Sequence, residues 1–306
     1  MTRVADGRVV IVTGAGNGLG RAYALELASQ GARVVVNDLG VGVHGESGAS
    51  EGAAQRVVNE IAAAGGQAIA NADDVADWDA GKRIVEAALD AFGDLHAVVN
   101  NAGFVRDRMF VSATPEEWDA VMRVHLRGHF CTSRHAVDYW RARLKAGEPV
   151  DARIINTASG AGLQGSVGQS AYAAAKAGIA ALTLVQAAEL GRYGVTANAL
   201  APQARTRMTD TAPFAGGMLA TEGAFDVFDP ANMAPLVTWL ASEHSSEVTG
   251  QVFELQGGKI WLSEGWRDGP GHDQGAKLDV CEIGPIVTRL VQARTPAKPV
   301  YGTQVS

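Results

Sequence analysis

The chain reads as one doubly wound α/β domain: a parallel sheet of seven strands with helices on both faces. Two observations carry that reading. Short β-branched runs such as RVVIVT (residues 8–13) and RVVVND (33–38) alternate with longer Ala-rich helical stretches, seven times over. The first strand also runs straight into GAGNGLG and the helix GRAYALELASQ, so a glycine turn joins strand to helix in the order that suits phosphate binding. A length of 306 residues, 47% of them hydrophobic and 19% charged, is enough for a large buried core.

Composition narrows the classes further. A net charge of −7 argues against a nucleic-acid partner while leaving room for local basic patches. No apolar run approaches the ~20 residues of a membrane span, and MTRVADGRVV lacks the apolar core of a signal peptide. Cys131 and Cys281 offer neither a disulfide framework nor metal-ligand spacing, so no metal is expected and a reducing cytoplasmic setting is.

Taken in order, the glycine turn comes first. Gly14, Gly18 and Gly20, with Asn17 and Leu19 between them, let backbone and helix N-terminus approach a pyrophosphate. The second strand ends in Asp38, about 20 residues on, where a ribose 2′-hydroxyl needs an acceptor and a 2′-phosphate would be repelled. NAD rather than NADP is therefore the expected cofactor. A Gly-rich loop (39–50), a helix (51–64), a strand (67–71) and a helix (77–92) follow. Asp74 and Val75, just past the third strand, are placed to meet an adenine, although capping the next helix explains Asp73 and Asp74 equally well. The strand LHAVVN (95–100) runs into Asn101, Ala102 and Gly103, small enough for a cofactor to lie close. Residues 116–145 read as largely helical, closed by Gly147 and Pro149.

The acid–base candidates come next. The strand RIINTAS (153–159) delivers Ser159 at its carboxyl end, where open parallel sheets bind ligands. Tyr172 follows thirteen positions later, and Lys176 stands at i+4 from it, on the same face of a strongly helix-forming segment. A phenol with a pKa near 10 is a poor acid–base group at neutral pH, and an ammonium one turn away is expected to draw it down. A serine hydroxyl holding a substrate oxygen against that phenol makes a carbonyl/alcohol proton-transfer site. The strand VTANAL (195–200), Pro202, an irregular stretch (203–228) long enough to be a mobile lid, a helix (230–242) and the strand QVFEL (251–255) complete the pattern. Residues 1–261 are expected to form the domain. Residues 262–306 form a turn- and Pro-rich extension, left open between covering a partner subunit, covering the substrate mouth and being loosely ordered.

Together, TGAGNGLG, Asp38, NNAG and Ser159–Tyr172–Lys176 resemble the short-chain dehydrogenases/reductases over roughly residues 7–260. The resemblance implies a Rossmann-type domain and hydride transfer with NAD(P). It makes Tyr172 the acid–base group, Lys176 the ribose-holding and tuning group, and Ser159 the group that orients the substrate oxygen. It also puts Pro202 and Thr206 at the nicotinamide end of the cofactor site, Thr206 meeting the carboxamide. GRAYALELA, VVVNDLG, VHLRGHF and APQARTRMT narrow the likeness to the (3R)-3-hydroxyacyl-CoA dehydrogenase domain of multifunctional enzyme type 2 and its stand-alone bacterial relatives. Self-association as a homodimer or homotetramer through the long helices is implied too. Two positions depart from the wider family. His125 stands where an asparagine is usual, to be read as a water-relay residue or as a core histidine, and Gln203 replaces the glycine after the proline.

Three functions follow. The first is NAD-dependent oxidation of a 3-hydroxyacyl-CoA, with Arg106, Arg108, Arg205 and Arg207 as candidates for the CoA phosphates. In the second, the same chemistry acts on a 17β-hydroxysteroid or another apolar alcohol, with Met208, Phe214, Met218, Phe225 and Phe228 lining an apolar pocket. A 3-oxoacyl-carrier-protein reductase is a variant that Asp38 disfavours. The third is a catalytically idle NAD-binding subunit on the same fold.

Overall fold

The computed structural model describes residues 3–42, 52–206, 208, 218–220, 223–278 and 280–303. The strands are β1 (Val9–Thr13), β2 (Arg33–Asn37), β3 (Gln67–Asn71), β4 (Ala97–Asn100), β5 (Ala152–Thr157), β6 (Val195–Gln203), β7 (Val252–Gln256) and β8 (Lys259–Leu262). They form a single sheet in the order β3-β2-β1-β4-β5-β6-β7-β8. The first seven are parallel, as the alternation of strands and helices requires.

The expected seven strands are thus eight. Gly257, at φ +55°, and Gly258 form a two-residue turn that folds β8 back antiparallel onto β7. Such a Gly-Gly pair between two apolar runs is a hairpin signal, here set at the edge of a parallel sheet. The sheet therefore reaches Leu262, one residue past the expected domain boundary.

The period-2 pleat sorts the strand residues onto two buried faces. Val10, Val12, Val34, Val36, Val99 and Ile155 pack under α1 (Gly18–Ser29), α2 (Ala53–Ala63) and α8 (Ala234–Ala241). Val9, Ile11, Val35, Val98, Ile154 and Ala197 face the other layer, which includes α3 (Trp78–Phe92), α5 (Gly128–Lys145) and α7 (Ser170–Leu190). Side-chain amides join this second layer to the strands. Asn100 Nδ2 donates to Ser133 Oγ (2.8 Å) and Asn156 Oδ1 (3.0 Å), and Asn156 Nδ2 donates to Thr183 Oγ1 (2.9 Å) and Gln186 Oε1 (2.8 Å). Buried amides so paired fix helix position without leaving a desolvated donor.

Three helical features refine the reading. The segment expected to be helical over 116–145 is divided. α4 (Pro115–Met122) begins at a Thr114–Glu117 capping box, a π-turn spans Arg123–Arg127, and α5 follows. A short helix, α6 (Gly160–Gln164), stands between Ser159 and Tyr172, and α9 (Ile283–Ala293) lies in the C-terminal extension. By length and composition alone, α7 with the turn after it is also apolar enough to cross a membrane, a test that the core helix of a folded domain passes as well. One face of α7 nevertheless packs on β5 and β6, and Lys176 lies buried in it.

The strand order reverses between β1 and β4: β2 and β3 run to one side of β1, while β4 to β7 run to the other. A crevice opens at the carboxyl ends of the strands there. The glycine turn and Asn101–Gly103 both face it.

Candidate active site

The glycine turn is built to minimise bulk. Gly14 (φ +61°) and Gly18 (φ +51°) adopt backbone angles that side chains resist. A Cβ on Gly14 would lie 2.7 Å from Ala102 Cα. Gly20 points inward: a Cβ there would lie 2.2 Å from Gly14 O and 2.6 Å from Asn101 Nδ2, so this glycine sets the distance between α1 and the sheet. Asn101 ties the turn to β4, its Nδ2 donating to Thr13 O (3.1 Å) and Gly14 O (3.2 Å). Thr13 Oγ1 in turn accepts from the amides of Asn101 (3.0 Å) and Ala102 (3.1 Å).

The crevice is lined by Gly14, Asn17, Gly18 and Leu19 on one wall and by Asp38, Asp74 and Val75 on another. Asn101, Ala102 and Gly103 form its floor, and Thr206 closes it near Gly18. Gly20, Pro202, Tyr172 and Lys176, also expected in the cofactor site, do not line it. Gly20 is a spacer, and Pro202 is a β6 residue in register with Leu255. Phe104, Arg106 and Arg123 line the crevice without having been expected there as cofactor contacts. The residues fit a dinucleotide. The Asn17 side chain makes no cap to α1, and its Nδ2 is buried with no partner among the described residues. The N-terminus of α1 therefore keeps donors free for an anion.

Asp38 lies just past β2. Its Oδ2 accepts from Gly16 N (2.9 Å) and its Oδ1 from Gly40 N (2.8 Å), which turns the carboxylate toward the glycine turn. Asp74 Oδ1 accepts from Ala76 N (2.9 Å) and Oδ2 from Arg123 (2.6 Å). The N-cap of α3 is Asp77 rather than Asp73 or Asp74. Asp73 instead accepts from Arg83 and Asn71.

The residues expected to do acid–base work gather at the end of β5. Ser159 caps α6, its Oγ accepting from Ala161 N (3.2 Å), and its hydroxyl is near enough to influence Tyr172, the third residue of α7. Lys176 Nζ lies 5.6 Å from the Tyr172 ring centre and donates to Thr157 O at 2.6 Å. Burial raises the Tyr172 pKa above its ordinary value, and the Ser159 hydroxyl opposes that shift. Burial also lowers Lys176 to about 7. The expected pull of the lysine on the phenol is therefore outweighed by desolvation of both groups.

His125 is the residue whose role the sequence left open. The π-turn places its ring edge-on to Tyr172, 5.2 Å between centres, with Nε2 2.7 Å from Phe104 O. Burial, then the Lys176 charge, depress its pKa to about 3, so it is neutral. Its Nδ1 is buried without a partner among the described residues. A Cβ on Gly103 would fall 2.2 Å from its Cε1, so Gly103 makes room for a histidine as well as lining the crevice. His129, one turn on, is likewise buried and neutral, with Nε2 unpartnered.

Among the arginines expected to meet CoA, Arg108 is paired with Glu117 (2.9 Å) and Arg205 with Asp226 (2.5 Å), while Arg106 stacks over Phe104 at 5.6 Å. Arg207 and Phe214, with much of the expected lid, lie outside the described residues. Arg205 also donates to Met218 O (2.6 Å), and Met218 is buried, whereas Phe225 is exposed.

The model of the short chain dehydrogenase family matches residues 8–213. The chain is 48% identical over 263 residues to the hydroxyacyl-CoA dehydrogenase ChsB1 of Mycobacterium tuberculosis, covering 84% of this chain and 80% of that one. It is 45% identical over 255 residues to the peroxisomal multifunctional enzyme type 2 of Mus musculus, covering 83% of this chain but 32% of that longer protein. A crystal structure of a short chain dehydrogenase from Mycobacterium avium superposes with a TM-score of 0.88 at 57% identity, over 98% of this chain and all of the other.

Proposed function

The chain belongs to the short-chain dehydrogenase family and is an oxidoreductase acting on a small molecule, and from that premise we propose that it oxidises the 3-hydroxyl of a hydroxyacyl-CoA with NAD. The observation that carries the reading is the grouping of Ser159 at the end of β5 with Tyr172 and, one turn on, Lys176, beside a crevice whose lining includes Asp38. The relatives named for hydroxyacyl-CoA and multifunctional-enzyme chemistry support the substrate class. Bound in the crevice, the nicotinamide would supply the hydride acceptor. Gly14, Gly18 and the α1 N-terminus would hold its pyrophosphate, Asp38 its adenosine ribose, and Thr206 its nicotinamide end. Ser159 holds the substrate oxygen. Tyr172, as phenolate, takes the hydroxyl proton, and Lys176 compensates the phenolate charge. Asp38 favours NAD because a 2′-phosphate would meet a fixed carboxylate.

A second reading keeps the chemistry and takes a free apolar alcohol such as a steroid. The exposed Met109, Phe110, Val111 and Val167 beside the site favour it, and the ion pairing of Arg108 and Arg205 weakens the case for those two as phosphate clamps. We also expect a cytosolic homo-oligomer, since Phe130, Leu184 and Val185 leave apolar surface on α5 and α7 and a chain with two cysteines offers no disulfide framework. The test is NADH formation with (3R)- and (3S)-3-hydroxyacyl-CoA, a steroid-side-chain acyl-CoA and a 17β-hydroxysteroid. Preference for a thioester, falling about a hundredfold or more in Tyr172→Phe, is expected. Preference for the free steroid would install the second reading, and silence on all of them with NAD bound would leave an idle subunit.

A further inference from the structure

The C-terminal extension returns to the site. Gln164 Nε2 donates to Pro299 O (2.8 Å), Tyr301 N donates to Gly165 O (3.2 Å), and Val167 N donates to Tyr301 O (2.9 Å). Residues 299–301 therefore pair, strand-fashion, with the loop that joins Ser159 to Tyr172. The fit is close. A Cβ on Gly160 would lie 2.5 Å from Tyr301 Oη, and one on Gly165 would lie 3.3 Å from Val300. Behind this contact, Lys298 is ion-paired with the buried Glu254 of β7, which also accepts from the Ser263 hydroxyl. The segment is thus clamped to the sheet at one end and to the loop at the other.

The opposite edge of the same loop is held by the chain that follows Gly103. Arg108 N donates to Gly168 O at 2.7 Å, and Gln169 Nε2 donates to Asp107 Oδ1 at 3.0 Å. The loop between the two acid–base residues is clasped from both sides, and Met109, Val167, Val300 and Tyr301 leave apolar surface exposed around it. Gly160 immediately follows Ser159, so the Tyr301 phenol stands next to the backbone that carries the substrate-holding hydroxyl.

We propose that Val300 and Tyr301 form a wall of the substrate mouth and that Tyr301 is a specificity-determining residue, limiting the bulk that can flank the carbinol carbon. The proposal rests on the dehydrogenase reading of Ser159 and Tyr172, and not on the substrate's being a thioester. Its test uses the full-length protein with NAD and a series of 3-hydroxyacyl-CoA substrates running from short straight chains to ring-bearing ones. Truncating a wall side chain by several methylene equivalents should move discrimination by about tenfold or more. Tyr301→Ala is expected to raise kcat/KM for ring-bearing relative to short substrates by that factor, with the Kd for NAD unchanged. Tyr301→Phe, which keeps the ring, should restore the wild-type ratio. Lys298→Ala, which releases the clamp without touching the mouth, should shift the ratio in the same direction by less. If wild-type protein oxidises no thioester, the substrate proposal fails, and the same ratio is read from free secondary alcohols of graded bulk. A Tyr301→Ala profile parallel to wild type across the series, or a uniform loss accompanied by weaker NAD binding, would overturn the wall.

Discussion

Gly20→Ala tests whether the cofactor crevice depends on the close approach of α1 to the sheet. The new Cβ would start 2.2 Å from Gly14 O and 2.6 Å from Asn101 Nδ2, against ordinary contacts of 3.4 Å or more. The first obstacle is a backbone carbonyl that cannot rotate away, so about an ångström must come from displacing α1 or the glycine turn. Overpacking of this kind costs about 3 kcal/mol at the upper end of its range. Replacing a helical glycine by alanine returns about 1 kcal/mol. The net expectation is a loss of about 2 kcal/mol, read as a lower urea midpoint at unchanged m-value. Because the displaced parts are the turn and helix N-terminus, NAD affinity should fall by about tenfold or more, measured by fluorescence titration. Gly284→Ala is the control, since nothing lies within 4 Å of the Cβ it would add to α9. It should be neutral or slightly stabilising. A Gly20→Ala protein with stability within about 0.5 kcal/mol of wild type and unaltered NAD affinity would refute the spacer argument.

Two further outcomes follow from the charges. Asp38→Asn should lower kcat/KM for NAD by about tenfold, through loss of a charged acceptor, and raise that for NADP. A unit charge about 4 Å from a carboxylate at an effective dielectric of about 20 is opposed by about 4 kcal/mol, so wild-type protein turning over NADP as well as NAD would contradict the assignment. Lys176 supplies a stability signature. Its folded pKa of about 7 lies below the ordinary lysine value of 10.5, so from pH 7 upward the unfolded chain holds a proton that the folded one has released. Unfolding free energy should therefore rise with pH between about 7 and 10, by up to about 1.4 kcal/mol per unit. Lys176→Met should lack that component. Parallel stability–pH curves for the two proteins without cofactor would show that the lysine is not desolvated.

Much of the site was legible because its signals are local. The glycine turn announces itself by strand, glycines and helix in sequence, Asp38 by its place at the next strand end, and Tyr172 and Lys176 by one helical turn. What escaped depends on approach between distant segments. Gly20 carries glycine's signature, but only the 2.2 Å to Gly14 O distinguishes a spacer from a cofactor contact. His125 lies in a run that reads as plain helix, and the π-turn that aims its ring at Tyr172 appears once α4 and α5 are packed. The hairpin to β8 had a local signal in Gly257–Gly258, hidden because a repeating parallel pattern leaves no expectation of an antiparallel edge. For the Pro-rich tail, the contact of Tyr301 with Gly160 spans most of the catalytic half of the chain, and no periodicity encodes it.

The overestimated pull of Lys176 on Tyr172 has the same origin: spacing fixes which groups are neighbours, whereas burial fixes what their charges cost. Here desolvation raises the phenol and lowers the ammonium, so each charged form is disfavoured when taken alone. Transferring one proton from Tyr172 to a neutral Lys176 creates both charges at once, and their mutual attraction in a poorly screened site offsets part of the desolvation of each. An ion pair at this site forms only to the extent that this attraction meets the cost of burying both charges. Ser159 favours the phenolate form of Tyr172, and Thr157 O, accepting from Lys176 Nζ at 2.6 Å, favours the ammonium form of the lysine. Neutral His125 and His129 add no positive charge to oppose the ammonium. A chain that kept Tyr172 and Lys176 at i and i+4 but protonated either histidine would lose that balance, which is a physical reason for both rings, His125 in the π-turn and His129 in α5, to be buried.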